Sequence, residues 1–114
     1  MTRQAELIER VRTLLAEEPS TREVAMFGGR SFMVNGKMVA SALSGGDLLV
    51  RVAAERHHEL TTRPGATQAE MGAGRTMGPG WIAVSAQSIE SDDDLSFWLD
   101  VALDYNRANA GRRK

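Results

Sequence analysis

The sequence predicts an α+β domain: a mostly antiparallel sheet of about five strands with the N- and C-terminal helices packed on it. Three observations lead there. Apolar residues recur at helical spacing near both chain ends, short strand-like runs fill the middle, and an Asn35-Gly36 pair separates two of those runs. At 114 residues the chain is the size of one domain, long enough to bury a core without covalent staples.

Residues 3–18 read as the first helix, with Leu7, Ile8, Val11, Leu14 and Leu15 sharing one face. Glu6 and Arg10 stand in the favourable i, i+4 order, and Pro19 is expected to stop the helix. Residues 23–52 read as a meander. Val24 to Phe27 is the first strand, and Gly28-Gly29 breaks it. Arg30 to Val34 and Lys37 to Leu43 flank Asn35-Gly36, where a tight hairpin turn needs φ > 0 at both central residues. Leu48 to Val52 follows a second Gly-rich turn, with Leu48, Val50 and Val52 on one face and Leu49 and Arg51 on the other.

Residues 53–60 are expected to form a short helix. Residues 61–80 hold five glycines and two prolines and read as a long loop, with Arg75 to Met77 able to pair as an edge strand. Trp81 to Ala86 has the length and character of a strand. Ser91-Asp92-Asp93-Asp94 opens the last helix, where a capping side chain and acids suit free N–H groups and the positive end of the dipole. Leu95, Trp98, Leu99, Ala102, Leu103 and Asn106 form its stripe, and either Phe97 or Trp98 points inward. The domain spans residues 1–110, and residues 111–114 form a basic tail expected to be disordered.

Composition narrows the function. The chain has no cysteine, which removes disulfides, thiol catalysis and thiolate metal sites. The N-terminus has no apolar signal core and no apolar run is long enough to span a membrane, so a cytoplasmic protein is expected. The net charge is −1 and aromatics make up 5% of the chain. Direct nucleic-acid binding is therefore not expected, because it usually draws on a positive excess and on stacking platforms.

Candidate chemistry is thin. His57-His58 are adjacent, so their rings diverge on a helix or strand and share an ion poorly. Gly72-Ala73-Gly74 starts like a dinucleotide fingerprint but lacks the third glycine and the following helix. Asp92-Asp93-Asp94 suits helix capping better than metal ligation. No nucleophile elbow or acid–base pair is evident, so no enzyme, cofactor or metal is expected.

Met26-Phe27-Gly28-Gly29, Gly36-Lys37-Met38, Leu48-Leu49-Val50-Arg51, Trp81 and the Trp98 helix together resemble the TfoX N-terminal domain family, related to the Sxy competence regulators. The similarity runs from about Leu7 to Arg107. It implies an α+β domain without a known catalytic site, and a regulatory role in transcription. The chain departs from the family's usual pattern at Ser31-Phe32, where a further glycine is common, and at Val39, where an aromatic is common. Longer members continue into a second domain that these 114 residues do not include.

The expected function is a non-catalytic regulatory or protein-interaction module. Its expected partner is another protein, either a second copy of the chain or the transcription machinery. Met26, Phe27, Gly28, Gly29, Arg30 and Arg51 are candidate contact residues, although glycines inside a strand usually mark geometry. The alternative is a small-molecule or anion-binding domain that uses the Gly-rich loop 63–80, with Arg63 and Arg75 as its cations.

Overall fold

The computed structural model describes residues 2–18, 20–26, 29–72 and 75–111, with the backbone alone at 26, 71–72 and 109–111. Helix α1 spans Arg3–Leu14. Strands β1 (Arg22–Met26), β2 (Gly29–Val34), β3 (Lys37–Ala42) and β4 (Leu48–Arg51) form the expected meander. A 3-10 turn (Ala54–Arg56) leads into α2 (His57–Leu60). Strands β5 (Ala66–Gln68), β6 (Glu70–Gly72), β7 (Arg75–Thr76) and β8 (Trp81–Val84) follow. A second 3-10 turn (Ala86–Ile89) then precedes α3 (Asp92–Gly111).

Among the described residues, the main sheet has six strands in the order β1-β2-β3-β4-β8-β5, and every pairing is antiparallel. The fold is α+β, as the sequence predicts. The expected loop at 61–80 is the main correction, although the pairing expected around Arg75 to Met77 is present as β7. The stretch supplies β5, which pairs beside β8, and a separate two-stranded sheet of β6 and β7. Side-chain amide chemistry closes this segment, because the two hydrogens of Gln68 Nε2 are shared among the carbonyls of Gly78 (2.9 Å), Ala69 (3.1 Å) and Trp81 (3.2 Å).

Local chemistry sets the element ends. Thr2 caps α1, its hydroxyl accepting from the Ala5 amide at 3.0 Å. The helix stops at Leu14, short of the expected 18, as Leu15 turns to φ −98°, ψ 10°. Leu7, Val11 and Leu15 form the buried stripe at i, i+4 spacing, while Leu14 is 38% exposed, outside the face expected for it. Arg10 is drawn to Asp92 (3.1 Å) and the Glu90 carbonyl (3.2 Å) rather than to Glu6, which ties α1 to the start of α3. Pro19 lies outside the described residues. Asn35 (φ 56°) and Gly36 (φ 79°) take the left-handed conformation that the hairpin turn requires. The Ser91 hydroxyl accepts from the Asp94 amide at 3.1 Å and caps α3. That helix runs through Gly111, one residue into the expected tail, and residues 112–114 lie outside the described set.

Both long helices cover the same sheet face. Leu7, Val11 and Leu15 from α1 and Leu95, Trp98, Leu99, Ala102 and Leu103 from α3 join Phe32, Val34, Leu48, Val50, Ile82 and Val84 in one core. Trp98 is the inward aromatic, at 2% exposure, and Phe97 packs beside it edge-on at 5.3 Å. The opposite face carries a smaller cluster of Met38, Leu49 and Ala69, flanked by Met33, Leu43, Met77, Trp81 and Ala83. No side chain of α1 or α3 belongs to that second cluster among the described residues. None of the described helices is long and apolar enough to cross a membrane.

Candidate functional site

Of the two edges of the main sheet, β5 is three residues long and lies beside the Gln68 clamp. β1 at the other edge is five residues long. An edge strand presents backbone N–H and C=O groups with no strand partner on one side. Val24 is 38% exposed at the middle of β1, and Ala25 is also exposed.

The charged residue beside them is tied back to the domain. Arg12 of α1 donates to Glu23 through Nε (2.6 Å) and Nη2 (2.8 Å), a two-point grip on one carboxylate. Those hydrogen bonds hold the Glu23 carboxyl below its ordinary range and push the Arg12 guanidinium further above its own. Arg30 approaches the same carboxylate at 4.0 Å. Glu23 therefore belongs to an ion-pair group with α1 and β2, and the uncharged part of the edge is Val24-Ala25.

Gly29 explains part of the Gly-Gly corner. It pairs with Met26 where β2 starts, and a Cβ there would sit 2.1 Å from the Ala42 carbonyl oxygen. Only glycine fits that approach of β2 to β3. Met26 ends β1; its side chain, and Phe27 and Gly28 entirely, lie outside the described residues.

The remaining candidate residues fall in different places. Arg51, at the end of β4, lies over the Trp81 ring (4.8 Å) and the Tyr105 ring (5.1 Å) and donates to the Tyr105 hydroxyl at 3.2 Å. Arg63 stacks on Phe97 at 3.8 Å, so it is part of the packing around α3. Arg75 is exposed on β7. Ala73 and Gly74 of the Gly-rich stretch lie outside the described residues. His57 uses Nδ1 to accept from the Gly80 amide at 2.9 Å, while His58 is exposed. Among the described residues, no three His, Asp or Glu side chains gather as a metal site.

Sequence reasoning missed Glu23, Val24 and Gln68. Their roles depend on partners distant in the chain (Arg12 for Glu23, the carbonyls of Gly78 and Trp81 for Gln68), and no local spacing signals them.

The model of the TfoX N-terminal domain matches residues 13–105, most of the chain, and the protein belongs to that family. No curated protein matches it in sequence.

Proposed function

We propose that this TfoX N-terminal domain is a non-catalytic regulatory module that acts through protein contacts, and that its first partner is a second copy of itself joined along β1. The open five-residue edge with its uncharged centre carries this reading. Antiparallel pairing of two β1 strands about Val24 sets Arg22 against Met26 and Glu23 against Ala25, with no like charges opposed. Such a two-fold pairing satisfies the exposed backbone groups on both copies at once. Family membership supports the regulatory setting, and transcription is the process in which the paired domain would act.

Sedimentation equilibrium tests the pairing. The wild-type chain is expected to shift from monomer to dimer mass with rising concentration, and Val24→Lys, which brings two cations together on the two-fold axis, is expected to shift the transition to higher concentration. A monomer at every concentration, or a dimer that tolerates Val24→Lys, would overturn the reading.

A further inference from the structure

The end of the sheet near Arg51 holds a cavity of about 300 Å³. Met33, Met38, Trp81 and Tyr105 supply its apolar walls, and Lys37 and Arg51 are the two charged residues among the described residues lining it. No acidic side chain is among the described residues lining it.

Arg51 is the unusual member. It is half-buried, and both of its hydrogen bonds to described residues go to uncharged oxygens, the Tyr105 hydroxyl and the Pro79 carbonyl. Among the described residues, no carboxylate lies within ion-pair distance of it; Arg10, Arg12, Arg30, Arg56 and Arg107 each have one, and Arg3, Arg22, Arg63 and Arg75, which also lack one, are exposed. The Trp81 and Tyr105 rings offset part of the cost of removing this cation from water. They do not supply an anion, and a guanidinium has five N–H groups, of which two are engaged here. Lys37, exposed on the hairpin, adds a second positive charge at the same opening.

We propose that this cavity binds a small organic carboxylate with an apolar body. The carboxylate would take the fork of Arg51 and the field of Lys37. The ring or short alkyl portion would lie against Met33, Met38 and Trp81. The volume is at the lower end of the range for small-molecule sites, which favours a single ring or a short chain. The proposal does not depend on pairing through β1, since no β1 residue lines the cavity among those described.

Benzoate is the probe, followed by the indole N–H signals of Trp81 and Trp98 in an NMR titration. Trp98 is buried in the core and serves as the internal control. Benzoate is expected to move the Trp81 signal saturably and leave Trp98 in place. Benzyl alcohol, which keeps the ring and loses the charge, and inorganic phosphate, which keeps the charge and loses the ring, are each expected to bind at least about tenfold more weakly. Arg51→Lys keeps a cation and removes the fork, and is expected to weaken benzoate about tenfold. Lys37→Met, at an exposed hairpin position, is expected to weaken it with the spectrum otherwise unchanged. The proposal is overturned if benzoate leaves Trp81 unmoved, if benzyl alcohol or phosphate matches it, or if Arg51→Lys binds as the wild type does.

Discussion

Asn106 of α3 donates through Nδ2 to the Val34 carbonyl at 2.9 Å, linking the last helix to the end of β2. Its Oδ1 accepts from Asn35 Nδ2 at 3.2 Å, so one buried amide holds both the strand end and the hairpin turn. Asn106→Ala would leave the Val34 carbonyl without this donor in a site that is 3% exposed at Asn106. A loss of about 1–3 kcal/mol is expected, read from the urea midpoint. An unchanged midpoint would mean that water replaces the amide at no cost.

Trp98→Ala removes the largest side chain that α3 places in the core. The expected loss is about 3–5 kcal/mol, enough to unfold a marginal domain of this size. Phe97→Ala should cost less, because Phe97 is only partly buried and stacks with Arg63 near the surface. Thermal unfolding of the two variants side by side gives the comparison, and a larger loss at Phe97 would reverse the assignment of the inward ring.

Gly29→Ala places a methyl against the Ala42 carbonyl, and the two strands must separate to admit it. A loss of about 2–3 kcal/mol is expected by denaturant titration. Gly36→Ala provides a contrast: nothing lies within 4 Å of its Cβ position, so its cost comes from the positive φ alone and is expected near 1 kcal/mol.

Much of this architecture is legible in the sequence. The Asn35-Gly36 turn, the stripe from Leu95 to Asn106 and the two faces of β4 follow from local rules of turn chemistry and periodicity. The stretch 61–80 is not legible in the same way. β5 has no alternating pattern of large apolar residues, and it forms because β8 offers a partner and Gln68 satisfies nearby carbonyls. The candidate site divides similarly. Arg51 stands out as a cation on a strand of apolar residues, and Gly29 as part of the glycine pair that separates two strands. The openness of β1 depends on the strand order of the complete sheet, which a local reading does not give.

Glu23 gives the fold a predictable acid response. Its pKa is lowered in the folded state, first by the Arg12 hydrogen bonds. Its contribution is therefore complete above the ordinary glutamate value of about 4.3 and is lost as pH falls through the lower folded value. Wild type is expected to exceed Glu23→Gln in stability at neutral pH, and the gap should close on acidification below about pH 4. Urea midpoints of both proteins across that range provide the check, and a gap that does not change with pH would remove Glu23 from the acid response.

Hydrogen exchange at backbone amides across a concentration series reports whether two copies pair through the β1 edge. Because β1 is already paired with β2, only alternate amides point away from the sheet; those among Glu23 to Ala25 are expected to exchange more slowly as the dimer population rises, while the amides of β5 at the opposite edge keep the same rate. Concentration-independent exchange in β1, in a sample whose mass shows it to be dimeric, would place the contact elsewhere and rule out pairing through β1.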